Sequence, residues 1–162
     1  MRGLRKIGAC LLAVLTIGGC ASVDCPLTNA VYSHWGFYTQ GQPATLLDTL
    51  YIYARVHGQD TLLVNKLYNA HNVDLPFSYY LPADTFRMEL HQGGEDGQVH
   101  VWADQVIVKK DNLDHFNSPE CGIWHEHSVT DISCTGVIID SIQVVKPKID
   151  THEDENIRIY FK

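Results

Sequence analysis

Residues Leu50–Val56 read L-Y-I-Y-A-R-V. Leu50, Ile52, Ala54 and Val56 recur at every second position, with Tyr51, Tyr53 and Arg55 between them. A period of two sends alternate side chains to opposite faces of an extended strand, whereas a helix needs an apolar stripe near a period of 3.6. The same pattern continues outward in both directions. Thr28–Thr39 places Val31, Trp35 and Phe37 on one face. Thr61–Tyr68 is a further extended run, and in Asn72–Phe77 the residues Val73, Leu75 and Phe77 alternate. Pro76 lacks the amide a ladder needs, so this piece is expected at a sheet edge or at the point where the chain leaves the sheet.

Further along, Thr85–Leu90 aligns Phe86, Met88 and Leu90, and Gly93–Gly97 supplies a turn. Val99–Val108, Cys121–Val129, Ser141–Val145 and Asn156–Phe161 are the remaining extended runs. In the last, Ile157, Ile159 and Phe161 are expected to face in, with Asn156, Arg158 and Tyr160 facing out. No amphipathic helix follows Leu27. The pattern predicts an all-β, antiparallel sandwich of about eight or nine strands in one domain over residues 27–162. Asp150–Glu155 reads as a solvated acidic loop before the final strand.

The first residues carry a different signal. Arg2, Arg5 and Lys6 form a basic region ahead of an apolar run from Ile7 to Ile17. This is the layout of a secretory signal, and the run is too short to span a bilayer. Ile17-Gly18-Gly19-Cys20 resembles a bacterial lipobox. The expectation is a lipoprotein signal peptide over residues 1–19, a lipidated Cys20, and a tether over residues 20–26. Cleavage would remove three positive charges and leave 9 Lys and Arg against 19 Asp and Glu, a net of −10 in place of −7. Such a chain is ill suited to nucleic acid or to anionic headgroups. Its membrane contact is therefore expected through the lipid on Cys20. Ala21 is not the Asp that often retains lipoproteins in the inner membrane, so the outer membrane is expected, facing the periplasm, with the cell surface as the alternative.

Several features together resemble a family of small lipoproteins of unknown function from Bacteroidetes. They are Cys25-Pro26 ahead of the first strand, Asp48–Tyr53 (D-T-L-Y-I-Y), Cys121-Gly122, Ile139–Val144 (I-D-S-I-Q-V), and the closing Asn156–Phe161 (N-I-R-I-Y-F). The resemblance implies an envelope-anchored β-sandwich and carries no activity with it. It also favours a disulfide between Cys25 and Cys121, which would join the tether to a late strand. Cys121 with Cys134 is the rival pairing. Either choice leaves one cysteine, expected to be buried and inert.

Within Glu120–Cys134, His125-Glu126-His127 is the one pattern suggestive of chemistry. Residues two apart on a strand share a face, so His125 and His127 could approach one zinc ion. Zinc needs further ligands, and His115, Glu120, His152 and Glu153 stand at no recognisable spacing. An H-x-H pair also arises readily by chance in a chain with nine histidines. The plainer reading is two half-buried histidines on a strand.

Tyr51 and Tyr53 are the best candidates for a glycan platform, although cross-strand tyrosines also simply stabilise sheets. No nucleophile elbow, phosphate loop or dinucleotide fingerprint occurs, and no cofactor is expected. The sequence therefore points to a lipid-anchored, non-enzymatic binding or assembly module. Its partner would be an envelope protein or glycan. A metal-binding or hydrolytic domain at His125/His127 and a glycan-binding module are the alternatives.

Overall fold

The structure is a computed structural model, and it describes residues 31–116, 119 and 121–162. The signal peptide, Cys20, the tether, Cys25 and Glu120 lie outside the described residues.

The described chain is all β. In order, the strands are β1 (Tyr32–Thr39), β2 (Gln42–Pro43), β3 (Thr49–Val56), β4 (Gln59–Leu67), β5 (Asn72–Pro76) and β6 (Ala83–Gly93). They continue with β7 (Val99–Phe116), β8 (Ile123–Cys134), β9 (Ile139–Val144), β10 (Lys148–Ile149) and β11 (Glu155–Phe161). Two sheets form the sandwich. One runs β2-β1-β11-β9, with β5 also paired to β1, and the other runs β10-β8-β7-β6-β3-β4.

The inward faces follow the alternation in the sequence. Trp35, Phe37, Leu50, Ile52, Val73, Leu75, Phe86, Met88, Ile157 and Ile159 are all buried in one core. Each such side chain contributes about 1.5–3 kcal/mol through burial. Trp35 and Phe86 meet edge to face across the two sheets, 5.8 Å apart at 81°. That geometry adds roughly 0.5–1.5 kcal/mol beyond burial. β5 sits at the sheet edge and ends at Pro76, as the proline requires.

Four details depart from the sequence reading. The first concerns direction, because β1 and β11 pair in parallel and the five-stranded sheet is mixed. Sequence alternation shows which residues share a face and is silent on strand direction. The second concerns length. β7 runs to Phe116 rather than Val108, because Lys110 occupies an inward position where an apolar residue would be looked for.

Similarly, β8 runs on past Val129 to Cys134. A register shift opposite Lys109/Lys110 pairs Lys109 with Asp131 and Lys110 with Val129. The extra residue on β8 flips its alternation, so the inward set passes from His127 and Val129 to Ile132 and Cys134. The third and fourth are Asn156 and Asp150, which are buried rather than solvated. Asn156 Oδ1 accepts the His34 amide at 2.9 Å, and its Nδ2 donates to the carbonyls of Lys146 and Lys148. Asp150 accepts the backbone and side-chain donors of His152, both at 3.0 Å.

The chain changes sheets repeatedly, and buried polar side chains hold several of these corners. Between β8 and β9 it crosses from the six-stranded to the five-stranded sheet through Thr135–Ile138. Asp104 lies beneath this crossing. Its carboxylate accepts the amides of Val137, Ile138 and Ile139, each at 2.8 Å, together with the Thr135 hydroxyl. Burial alone would raise this carboxyl, but the bonds from Thr135 and the three amides outweigh it and hold Asp104 below the usual carboxylate range. Gly136 makes the turn at φ +77°, in the left-handed region that glycine enters without strain.

Candidate functional site

Among the described residues, the histidine pair and an outer-face cleft each gather polar side chains that could serve a ligand. The first is where the sequence pointed. β7 outruns β6, so its last residues pair with β8 alone. On the inward side of this extension lie Lys110, Asn112 and Asp114 from β7, with His125 and His127 from β8. The segment between β5 and β6 folds over them. Tyr79 stacks on His125 at 4.5 Å and lies parallel to His127 at 6.1 Å, so the two histidines share a face as the spacing predicts.

Their surroundings are those of a packed corner. Asn112 Nδ2 donates to the Leu81 carbonyl, which leaves Oδ1 as an acceptor for Lys110 Nζ at 2.8 Å and His127 Nδ1 at 2.7 Å. The proton of His127 therefore sits on Nδ1. Its Nε2 is buried with no partner among the described residues, and the ring packs edge-on to Phe77. Burial first, then the positive Lys110 and then His125, push its pKa down to about 4, so the ring is neutral near pH 7. His125 is tied to Asp114 through Nδ1 at 2.7 Å.

Lys110 is fully buried, and Nζ donates to the carbonyls of Ser78 and Leu81 and pairs with Asp84 at 3.2 Å. Burial pushes the Lys110 amine down and the Asp84 carboxyl up, and the contact between them opposes both. The additional ligands a zinc ion would need are not gathered here. His115 lies on the opposite face of β7, stacked on Trp124 and 3.0 Å from Glu126. His152 is engaged by Asp150. Among the described residues, no group of three or more His, Cys, Asp or Glu side chains is placed to hold a metal ion.

The second place is a cleft of about 430 Å³ on the outer face of the six-stranded sheet, a volume within the range of small-ligand sites. Its lining follows a row across the strands. Asp60 on β4 is opposite Arg55 on β3, and Arg87 on β6 is opposite Gln105 on β7. Beyond Gln105, β8 has ended, and Thr135 closes the row by exchanging backbone and side-chain hydrogen bonds with it. Thr85 and Ala103 complete the floor.

Asp60 organises the cleft. One carboxylate oxygen accepts Arg55 Nε at 3.0 Å, and the other accepts Arg87 Nε at 2.9 Å. These two contacts hold its carboxyl below the usual range. Arg87 also donates through Nη1 to Glu89, and its guanidinium lies 4.3 Å over the Tyr53 ring. The fork of Arg87 is thus fixed by two carboxylates and a ring.

Tyr51 and Tyr53 do face outward, as the alternation in β3 predicts. Their rings are covered by protein, with His91 4.4 Å from Tyr51 and Arg87 over Tyr53. The polar groups beside them are the more available ones. Sequence reading picked out the tyrosines and missed Asp60, Arg87 and Gln105. The outward position of Arg55 on β3 was the available signal. Its partners come from three other strands, whose registers no local pattern specifies.

Of the cysteines, Cys134 is a free thiol, so the rival pairing of Cys121 with Cys134 is not formed. Partial burial first, and the neighbouring Asp104 next, raise its pKa, which keeps it protonated and unreactive.

Searches among curated proteins and among solved structures gave no match. A family model does match, over residues 49–161, a span that includes β3 to β11, the whole cleft and both histidines. The chain belongs to DUF6452, a family of unknown function.

Proposed function

We propose that the protein is a lipid-anchored, non-enzymatic binding module of the bacterial envelope, and that it engages its partner through the outer face of the six-stranded sheet. The single observation that supports binding there is the Arg55–Asp60–Arg87 cleft. It is an open concavity with polar donors held in fixed positions. Anchoring rests on the sequence: the basic and apolar leader followed by Ile17-Gly18-Gly19-Cys20. Acylation of Cys20 would hold the domain at the outer membrane, facing the periplasm. A protein with a net charge of −7 and a lipid tether suits capture of an envelope glycan or protein better than contact with nucleic acid. A Cys25–Cys121 disulfide belongs to the same proposal, supported by the free state of Cys134.

The test is expression of the full chain in a bacterial host with labelled palmitate. The expected result is label on the wild-type chain, none on Cys20→Ala, and recovery of the label in the outer-membrane fraction. Unlabelled wild-type protein would remove the anchor. Intact mass under non-reducing conditions checks the disulfide, which lowers the mass by two hydrogens. Capture from envelope extracts that is lost on Arg87→Gln supports the cleft. Capture indifferent to Arg87→Gln moves the binding surface elsewhere.

A further inference from the structure

The hydrogen-bond inventory of the cleft points to a chemical class of ligand. Both oxygens of Asp60 are occupied by the two Nε donors, and Glu89 is occupied by Arg87 and by His91 at 3.4 Å. Asp104, at the far end, spends its acceptors on Thr135 and three backbone amides. The carboxylates at the site are therefore committed within the protein. The donors are not: among the described residues, both Nη groups of Arg55 and Nη2 of Arg87 have no protein partner. The Arg55 side chain is 50% exposed and that of Arg87 is 37% exposed. The Gln105 amide and the Thr85 hydroxyl add further donors along the same row.

A site whose carboxylates are already engaged and whose guanidinium donors are spare and pre-positioned suits a ligand that is rich in acceptors. A carboxylate fits best, because it meets a planar guanidinium through two parallel hydrogen bonds. Charge limits the ligand further. Arg55 and Arg87 are balanced locally by Asp60 and Glu89, and the chain as a whole is acidic, at −7. A polyanion would be repelled at long range, whereas one carboxylate on an otherwise neutral, hydroxyl-rich body would not. The Gln105 and Thr85 groups, beside the small Ala103, are suited to such hydroxyls.

We infer that the cleft formed by Arg55, Arg87, Thr85 and Gln105 binds a small sugar bearing a single carboxylate, of the uronic acid class. The inference rests on the reading of the protein as a binding module and specifies its ligand. Asp60 acts as a positioning residue, since it holds both guanidinium groups through Nε and leaves both Nη groups of Arg55 and Nη2 of Arg87 for a ligand.

The test is isothermal titration of the full chain in detergent with glucuronate, glucose, acetate and sulfate. Glucuronate is expected to bind at least ~10-fold more tightly than glucose, the scale of one charge-assisted contact. Arg55→Gln and Arg87→Gln are each expected to weaken it by ~10-fold or more, with circular dichroism unchanged. Asp60→Asn keeps one acceptor oxygen and removes the charge, so it should weaken binding by releasing one guanidinium group, with circular dichroism unchanged. Equal binding of glucose and glucuronate overturns the assignment of a carboxylate. Acetate or sulfate binding as tightly as glucuronate overturns the sugar. If envelope capture depends on Arg87 but no uronate binds, the class is wrong while the binding-module reading stands.

Discussion

Replacing Asp104 by alanine tests the account of how the two sheets are joined. In the wild type, Asp104 satisfies three backbone amides, each at 2.8 Å, and the Thr135 hydroxyl. Alanine leaves those donors beneath the crossing with no acceptor. A buried donor left unpaired costs roughly 1–3 kcal/mol. Three amides therefore give a loss of about 3–5 kcal/mol, allowing for relaxation and entry of water. That is a large share of the ~5–15 kcal/mol that stabilises a typical domain.

Urea unfolding of the full chain, followed by tryptophan fluorescence, is the assay. With a slope of about 2 kcal/mol/M, the midpoint should fall by about 1.5–2.5 M with the slope unchanged. Asp104→Asn keeps one acceptor oxygen and should lose less, about 2–3 kcal/mol. The pH dependence has a definite sign. The folded pKa of Asp104 lies below its unfolded value near 3.9. Its ionised form therefore stabilises the fold fully above about pH 4, and the advantage fades as pH falls through the lower, folded value. The gap between wild type and Asp104→Asn should thus narrow below pH 4. A loss under about 1 kcal/mol for Asp104→Ala, or a gap constant from pH 7 to pH 3, would mean that Asp104 does not hold the crossing together.

Other outcomes follow from the corner beneath Tyr79. His127 titrates at about 4 in the fold against 6.5 when unfolded. Neutral His127 thus contributes stability that is lost as pH falls from about 6.5 to 4, on the order of 3 kcal/mol, and His127→Phe should flatten a melting-temperature profile over that range. Lys110→Met strands Asp84 and the Ser78 and Leu81 carbonyls, with an expected loss of about 3–5 kcal/mol in thermal unfolding. Asp84→Asn combined with Lys110→Met should recover part of that loss. At Gly36 a methyl group would fall 2.1 Å from Glu155 Oε2, whose carboxylate holds Tyr38 and Arg158. Gly36→Ala should displace that flexible side chain and cost about 1 kcal/mol, read in the same denaturation assay.

The strands and their buried faces were legible in the sequence because burial of one face imposes a period of two. Leu50 with Ile52, Val73 with Leu75, and Ile157 with Ile159 are all found where that period places them. What alternation cannot carry is the identity of each strand's neighbour. β1 and β11 lie at opposite ends of the described chain and pair in parallel, and nothing local to Tyr32–Thr39 specifies this. The candidate site failed to show for the same reason. Arg55 was visible as an outward residue of β3, but the cleft exists only once Asp60, Arg87, Gln105 and Thr135 are brought beside it by register. The histidine pair was legible as a pair. The buried lysine that makes its surroundings hostile to a cation was not, because Lys110 looks like any surface lysine.

The residues the sequence disguised best are also those that settle the topology. The step from β5 to β6 is tied by Lys110 and Asp84, which hold Ser78 and Leu81. Asp104 ties the step from β8 to β9. The steps through β10 to β11 are tied by Asn156, which reaches the carbonyls of Lys146 and Lys148 and the amide of His34. Apolar contacts alone would tolerate a strand passing to either sheet, since each offers a similar greasy face. A buried polar group tolerates only the arrangement that satisfies it, because the alternative leaves it unpaired at a cost of roughly 1–3 kcal/mol. On this argument the core supplies most of the stability, and the choice between sheets at these corners falls to a few charged and amide side chains. Exchanging Asn156 for an isosteric leucine should accordingly disturb the order of β9, β10 and β11 more than it lowers the melting temperature. Hydrogen exchange of the His34 and Val145 amides would read that difference directly.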